Sequence, residues 1–213
     1  MYFSKIEPDS EHILRNSGDE SPLYVFHRLL WQLYPQDQNA KRDFLFRLNM
    51  DIHGSEVLVL SEREPHEASW CKSFEKKKFA PHLHNDQLLG FKIRVNPIVR
   101  GKKDHKRHDA IMHYKKLNQV MRHQEAVHDA TQQWMKMRLE KNGATLLSEG
   151  FRADSYSRQA LTDGKRWLRF STVDVSGNLQ VVDPACFMQS LSSGLGGSRS
   201  FGCGLMLLRQ PSF

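Results

Sequence analysis

The stretch that most restricts how this chain can fold is GLGGSRSFGCG, residues 194–204, which places five glycines in eleven positions directly before the apolar run LMLL. Glycine reaches positive φ angles that other residues avoid, and it lets the backbone approach a neighbour closely. A flexible linker rarely leads straight into a strand, and Leu195, Phe201 and Cys203 are suited to anchoring the segment by packing. We therefore expect a structured loop that leads into the last strand.

The glycines of this loop follow the pattern G-h-G-x5-G-h-G, in which h is an apolar residue and x is any residue. This spacing favours binding of phosphate by the backbone of the loop. No G-K-[ST] follows, so the loop is not a Walker loop, and it lacks the following helix that a dinucleotide-binding fingerprint requires. Its glycines would let N–H groups approach a phosphate, and the serine and arginine side chains between them add donors. The candidate nucleic-acid-binding residues of the loop are Gly194, Gly196, Ser198, Arg199, Ser200, Gly202 and Gly204.

The composition favours a cytoplasmic protein with a polyanionic partner. The 213 residues suit two domains. The 31 Lys+Arg exceed the 24 Asp+Glu, which gives a net charge of +7 and a pI near 9.4 and favours nucleic acid or an acidic membrane as partner. Cys71, Cys186 and Cys203 are few and far apart, which predicts buried thiols in a reducing compartment. No apolar stretch approaches the ~18 residues of a membrane span, and MYFSKIEPDSE meets charge too early for a signal peptide.

The first hundred residues predict the order β, α, β, β, short α, β. MYFSKI is the first strand, and the polar stretch 7–20 is predicted to be a loop. Ser21 and Pro22 are a typical start for the helix LYVFHRLLWQLY, which ends before Pro35. DFLFRLN and SEVLVLSE are strands, residues 65–70 a short helix, and QLLGFKIRVNPIVRG a long strand that closes the unit.

Residues 101–143 are basic and His-rich, and they predict a helical connector that ends at Asn142 and Gly143. Three strands follow, in ATLLSEGFRADSYSRQ, KRWLRFSTVDVSG and NLQVVD, and then a helix over 184–192, the glycine loop and the last strand. The expected fold class is α+β, with two tandem ferredoxin-like (RRM-like) domains, 1–100 and 144–213, joined by the connector 101–143. Such sheets leave one face free for a ligand.

Tyr24 and His27 are the candidate catalytic residues, and both lie on the first predicted helix. They are three residues apart and project together from a face outside the apolar stripe. Imidazole and phenol, with ordinary pKa values of about 6.5 and 10, can exchange protons with a substrate. A half-buried histidine beside aromatic residues is more often structural, so the spacing alone leaves both roles open. The apolar stripe consists of Leu23, Phe26, Leu29, Leu30 and Leu33.

Two basic segments are candidates for binding a nucleic-acid backbone. Residues 100–122 hold eight Lys/Arg against two Asp, and FRADSYSRQALTDGKRWLRF places five cations around a hairpin turn at Asp163 and Gly164. Such runs are also common on solvated surfaces, and for Arg94 and Arg100 the two interpretations stay equally open. The candidate binding residues are Arg100, Lys102, Lys103, Arg152, Arg158, Lys165, Arg166 and Arg169.

The eleven histidines do not predict a metal site, and we expect neither a metal nor a cofactor. The histidine pairs lack a zincin frame and partner cysteines. These pairs are His82 and His84, His105 and His108, and His123 and His128.

Several segments together resemble the CRISPR repeat-RNA endoribonucleases, specifically the crRNA-processing subunit of the type I-E Cascade complex. They are the C-terminal glycine pattern, LYVFHRLLWQLYP after the first strand, RDFLFRL, FKIRVNPI and GSRSFGCGLMLL. The resemblance covers residues 1–100 and 144–213, whereas the stretch 102–128 matches poorly.

The resemblance implies a metal-independent endoribonuclease that cuts at the 3′ base of a repeat stem-loop and leaves a 5′-OH and a 2′,3′-cyclic phosphate. By matching positions, His27 would carry the principal catalytic role and Tyr24 would assist, and which of them is the base stays open. It also implies a basic hairpin against the RNA stem, other Cascade subunits as partners, and no membrane. The alternatives are a non-catalytic RNA-hairpin-binding protein of this fold and a scaffold that binds only protein.

Overall fold

Two sets of four strands form two separate antiparallel sheets. The computed structural model describes residues 1–35, 41–51, 54–101, 105–118, 122–162, 165 and 167–211. Each sheet places its first strand between its third and its fourth, which is the order of a ferredoxin-like unit, and the α+β class is confirmed. No helix in these ranges is long and apolar enough to cross a membrane.

The first sheet carries the predicted first helix on its apolar face. Its strands, in the order β2-β3-β1-β4, are β1 (Tyr2–Pro8), β2 (Phe44–Asp51), β3 (Gly54–Ser61) and β4 (Cys71–Lys78). Between β1 and β2 lie α1 (Ser10–Ser17) and α2 (Pro22–Leu29), and α2 continues as a 3₁₀ turn, Leu30–Leu33. Burial of the apolar stripe against the sheet fixes α2 in place. Phe26, Leu29, Leu30 and Leu33 pack in one cluster with Ile6, Phe46 and Trp70.

Two predictions for the first unit are wrong. The stretch 7–20 contains α1 rather than only a loop, because the Asp9 carboxylate accepts the N–H groups of Glu11 (2.9 Å) and His12 (3.3 Å), and Gly18, at φ +48°, ends the helix. Residues 65–70 form no helix. The chain continues instead into β4, an edge strand whose charged side chains face solvent and whose backbone pairs with β1.

The second sheet contains a strand that was predicted to close the first domain. Its members, in the order β10-β5-β9-β8, are β5 (Leu88–Val95), β8 (Ala144–Thr162), β9 (Trp167–Val181) and β10 (Met206–Arg209). β5 pairs with β9 and β10, so it belongs to the second unit, and a division at residue 100 is wrong for this strand. The two strands predicted within 165–183 are one strand, β9, which runs on through Gly177.

The predicted connector is part of the second unit rather than a link between units. After the short strands β6 (Ile98–Arg100) and β7 (Arg107–Asp109) come α3 (Ala110–Leu117) and α4 (His123–Glu140). Val127, Trp134 and Leu139 of α4 share a core with Phe91 of β5 and Val175 of β9. The second unit is therefore a complete βαββαβ fold, in which α5 (Pro184–Ser193) is the second crossover helix.

The two units meet through an apolar cluster and an ion-pair cluster. Leu45, Leu58 and Leu60 of the first sheet pack against Leu205. The ion-pair cluster joins Arg47 of β2 to Asp174 of β9, which also binds Arg94 of β5. The Asp174 carboxylate accepts hydrogen bonds from Arg47 Nη2 (3.2 Å), Arg94 Nε (2.9 Å) and Arg94 Nη2 (2.9 Å), and the Arg47 side chain is only 3% exposed. Arg94 thus has a structural partner, which the sequence had left open.

The cysteines are free thiols, as predicted, but the expected burial holds only for Cys203. Cys203 is buried, which raises the pKa of its thiol to about 12, whereas Cys71 and Cys186 are half-buried.

Candidate active site and nucleic-acid interface

The start of α2 is held by the end of β8. Ser21 occupies the N-cap position, as predicted, but its side chain caps no helical N–H group. Its Oγ instead accepts the N–H of Thr162 (3.0 Å), and its own N–H donates to the carbonyl of Thr162 (3.2 Å). The helix that carries Tyr24 and His27 is therefore tied to the hairpin of the second unit.

Tyr24 and His27 lie together on α2 and both contact Phe201 of the glycine loop. The ring centroid of Phe201 is 5.0 Å from that of Tyr24 and 5.9 Å from that of His27. Val25, Phe26 and Leu29 of the same helix are buried, whereas Tyr24 and His27 are half-buried. The pair thus faces Phe201 of the second unit and keeps part of its surface exposed.

The environment of His27 favours a neutral imidazole. Its Nδ1 is buried and has no hydrogen-bond partner among the described residues. Burial lowers the pKa of His27, and the positive charge of Arg42 lowers it further. A histidine whose pKa lies below its ordinary value is unprotonated at neutral pH and can accept a proton.

Arg42 is a further candidate residue that the sequence did not reveal. It lies within RDFLFRL, one of the segments that carry the resemblance, but no spacing rule assigned it a role. Its Nη1 is buried without a hydrogen-bond partner in the described part of the chain. Burial and the nearby Arg199 both lower the pKa of Arg42. Arg42 is thus a poorly solvated cation beside His27, placed to attract an anion.

Arg42 lines a cavity of about 650 Å³, which we call the arginine cavity. None of its described lining residues is a carboxylate, and none of its arginines forms an ion pair with a described carboxylate. Arg100 and Arg199 were predicted to bind nucleic acid, and the structure brings them together here. The lining consists of Arg42, Ile98, Val99, Arg100, Arg107, Arg138, Asn142 and residues 194–201.

The glycine loop is ordered by packing, as expected. A Cβ on Gly196, which has φ +87°, would lie 3.0 Å from Cη2 of Trp134, and one on Gly194, at φ +77°, would lie 2.7 Å from Cδ2 of Leu45. Only glycine satisfies both the angle and the approach at these positions. Ser198 accepts a hydrogen bond from Asn96 Nδ2 (2.7 Å), so its own hydroxyl proton remains free to donate.

The loop offers some of the predicted amides and not others. The N–H groups of Gly194 and Gly204 donate to the carbonyls of Ser190 (2.9 Å) and Arg94 (2.8 Å), so these glycines shape the loop and their amides are occupied. Within the described residues, the amides of 196–200, which include that of Ser200, make no backbone hydrogen bond. They line the arginine cavity together with Arg199. Gly202, at φ +77°, packs near Phe46 rather than in the cavity.

The basic hairpin of β8 and β9 forms a second surface. Arg158 and Arg169 line a cavity of about 670 Å³ together with Phe170, whose ring centroid is 5.8 Å from that of Phe201. Arg152 lies farther from the tip, opposite Ser176, and is exposed. The structure therefore separates Arg152 from Arg158 and Arg169.

At the tip of this hairpin, Lys165 is exposed and the side chain of Trp167 is 67% exposed. Lys102, Lys103 and Arg166 were also predicted to bind nucleic acid, and they lie outside the described residues.

Several histidines of the stretch 102–128 have structural contacts. The ring of His123 lies 5.5 Å from that of Tyr156, and the ring of His128 lies 5.4 Å from that of Phe151. In the described ranges, no three His, Cys, Asp or Glu side chains gather in a way that could hold a metal ion.

Known structures share this architecture. The chain is 23% identical to a structure of the CRISPR endoribonuclease Cse3 bound to a 19 nt RNA, with a TM-score of 0.78, and the match covers 98% of this chain and 100% of the other. The structure of Cas6e from Escherichia coli K-12 matches at 22% identity and a TM-score of 0.70, over 99% and 100% of the two chains. At these identities the likeness shows the fold, and it confirms two ferredoxin-like units.

Sequence comparison gives the family. The chain is 28% identical to the CRISPR system Cascade subunit CasE of Escherichia coli over 98% of both proteins. It is 27% identical to the CRISPR-associated endoribonuclease Cse3 of Thermus thermophilus, over 84% of this chain and 78% of the other. The family model described as CRISPR associated protein matches residues 1–210. The chain therefore belongs to this family of CRISPR-associated proteins.

Proposed function

We propose that this chain is a metal-independent endoribonuclease that cuts CRISPR precursor RNA at the 3′ base of the repeat stem-loop. The observation that carries the proposal is that Tyr24 and His27 both contact Phe201, which lines the arginine cavity together with Arg42, the cation whose charge acts on His27. The names of the relatives support the same reaction, since they are a Cascade subunit and a CRISPR-associated endoribonuclease. We further propose that the protein acts in the cytoplasm and stays on its product as a Cascade subunit.

In the proposed reaction the RNA itself supplies the nucleophile. The 2′-oxygen next to the scissile phosphate attacks phosphorus, and its proton passes to the neutral imidazole of His27. The bond from phosphorus to the 5′-oxygen breaks, and this oxygen takes a proton from an acid, for which the Tyr24 hydroxyl is the candidate. The products are a 2′,3′-cyclic phosphate and a 5′-OH, and no water is consumed.

The role of base falls to His27 because its pKa is lowered. A positioned base or acid contributes about 10²–10⁴-fold to the rate. Arg42 lies where a cation would stabilise the additional negative charge of the five-coordinate phosphorus. The arginine cavity and the hairpin supply the remaining phosphate contacts.

The first test is cleavage of the repeat RNA from the source genome in EDTA, with wild type beside His27→Ala and with the product ends identified by mass. We expect wild type to produce the cyclic phosphate, and His27→Ala to bind the RNA but to cut it at least about 10²-fold more slowly. Cleavage only with added metal, or equal cleavage by the variant, would contradict the proposed mechanism. Wild-type binding without any cleavage would instead identify a non-catalytic RNA-binding protein.

A second substrate separates the two proton transfers. When sulfur replaces the 5′-bridging oxygen, the leaving group needs no acid. If His27 is the base, His27→Ala stays slow on this substrate, whereas Tyr24→Phe recovers. Recovery of His27→Ala with no recovery of Tyr24→Phe would reverse the two roles.

A further inference from the structure

The arginine cavity is larger than a single phosphate requires. Its volume of about 650 Å³ falls within the range of sites that hold whole small-molecule ligands, roughly 300–1,000 Å³. Its cations come from both units: Arg42 precedes β2, Arg100 lies on β6, Arg138 on α4 and Arg199 in the glycine loop. A single catalytic phosphate near His27 would not require arginines on so many elements.

The residues that line the arginine cavity are suited to a ligand with several linked phosphate groups, such as a nucleic-acid backbone. Guanidinium groups bind phosphate oxygens through paired N–H groups, and the amides of 196–200 make no backbone hydrogen bond elsewhere in the described structure. The like charges of the lining arginines repel one another in a partly enclosed space, and a polyanion removes this repulsion. Arg138 also lies over the ring of Trp134, at 5.2 Å from its centroid, which holds the guanidinium in place.

Phe201 connects the arginine cavity to the catalytic pair and to the hairpin surface. Phe201 lines the arginine cavity and contacts both Tyr24 and His27. It also lies against Phe170, which belongs to the cavity lined by Arg158 and Arg169 of the hairpin. The two cavities also share Ile98 and Arg107, so they adjoin each other, and Phe201 and Phe170 connect Tyr24 and His27 to both.

We propose that the arginine cavity binds the single-stranded RNA on the 3′ side of the scissile phosphate, while the hairpin surface binds the stem on the 5′ side. The inference rests on the proposed function, because a cut at the 3′ base of a stem requires the backbone to leave the stem, pass His27 and continue as a single strand. Of the two basic cavities, the arginine cavity is the one lined by Arg42, whose charge acts on His27, and by Phe201, which contacts both Tyr24 and His27.

The test compares three RNAs that carry a 2′-deoxy nucleotide at the cut, so that binding is measured without cleavage. One is the repeat stem-loop that ends just past the scissile phosphate, one adds a single-stranded 3′ extension, and one adds a 5′ extension of equal length. The variant is Arg100→Gln with Arg138→Gln, because both side chains are exposed and line the arginine cavity but not the hairpin cavity. The control is Arg209→Gln, an exposed arginine on β10.

For wild type, we expect the 3′ extension to tighten binding about 10-fold at low salt and to steepen the dependence of log K on log salt by about 0.7 for each phosphate contacted. The double variant should lose most of this gain, and the loss should be confined to the 3′-extended RNA. Arg209→Gln should keep the full gain.

Two results would overturn the inference and leave the proposed function intact: tight binding of the stem-loop with no gain from the 3′ extension, or an equal gain in wild type and double variant. A gain from the 5′ extension alone would assign the cavity to the other flank and would also reject the proposal. Failure of wild type to bind any of the three RNAs would reject the proposed function itself.

Discussion

The boundary between the two units holds two groups of arginines with opposite environments. In the ion-pair cluster, Arg47 and Arg94 share the carboxylate of Asp174, and Arg94 also donates to the carbonyl of Leu48 (3.1 Å). In the arginine cavity, no described carboxylate offsets the cations, and Nη1 of Arg42 has no described partner. Arg47 Nη1 also lacks a described hydrogen-bond partner, so the two groups differ in the carboxylate that faces the arginines of the ion-pair cluster and that the described lining of the arginine cavity lacks. We therefore expect an arginine that is paired with a carboxylate to stabilise the fold, and an arginine with no described carboxylate, such as Arg42 near His27, to bind an anion.

The largest effect on stability should follow from loss of the shared carboxylate. Asp174→Ala leaves the buried Arg47 and the half-buried Arg94 without their partner, which we expect to cost about 3–5 kcal/mol in the free energy of unfolding, as for other broken buried pairs. Urea denaturation measures this loss. The control is Lys72→Ala, which removes an exposed ion pair with Glu7 and should cost below about 1 kcal/mol. Similar losses in both variants would remove the distinction between the two kinds of arginine.

Arg42 should show the opposite pattern, with a loss of activity and no loss of stability. Removing one group that stabilises developing charge lowers rates by about 10²–10³-fold in other enzymes, and we expect Arg42→Gln to slow single-turnover cleavage by about this factor. Because the substitution relieves repulsion with Arg199, the free energy of unfolding should stay equal or rise. A destabilised variant that cuts at the wild-type rate would place Arg42 with the structural arginines.

The glycine loop should respond to substitution by position. Gly196→Ala must place a side chain at φ +87° and 3.0 Å from Trp134, which we expect to cost about 1–3 kcal/mol of stability. Gly197 has an ordinary φ and a contact of 3.4 Å to Ile98, so Gly197→Ala should cost less. Thermal unfolding of the two variants measures the difference. Equal stability would show that the loop does not require the left-handed conformation at Gly196.

The smallest expected effect is a shift in pH dependence. Burial and Arg42 both lower the pKa of His27, so kcat/KM, which reports the free enzyme, should fall only below the ordinary histidine pKa of about 6.5. Arg42→Gln removes one of the two causes of the lowered His27 pKa. The fall of kcat/KM at low pH should therefore begin at a higher pH in this variant than in wild type. If kcat/KM falls at the same pH in Arg42→Gln as in wild type, the charge of Arg42 does not lower the pKa of His27.

Local patterns predicted much of the first unit. The 3- and 4-residue spacing of apolar side chains placed α2 and correctly set Tyr24 and His27 on a face outside the buried stripe, because helical geometry follows from the sequence directly. Ser21 and Pro22 gave the start of the helix for the same reason. In contrast, the pattern of 7–20 predicts a loop because it holds Pro8, Asn16 and Gly18 and lacks an apolar period, and the helix α1 forms there with Asp9 as its cap.

Long-range pairing could not be predicted in the same way. Apolar and polar residues alternate in β5 as they do in a strand. This pattern does not indicate that β5 pairs with β9 and β10 rather than with the first sheet. For the same reason α4 was taken for a connector, although its apolar residues pack on the second sheet. The alternation of a strand encodes its two faces and carries little information about its neighbours.

The sequence by itself determined the α+β class, the helix that carries Tyr24 and His27, the glycine loop and the excess of positive charge, since each depends on residues close together in the chain or on composition alone. Only the tertiary structure decided which arginines are paired with Asp174 and which surround an open cavity, because these partners lie far apart in sequence, as Arg47 and Asp174 do. It likewise placed Arg42 beside His27 and Phe201 against Tyr24. The charge of a side chain follows from its identity, but whether that charge is already neutralised depends on packing between the two units.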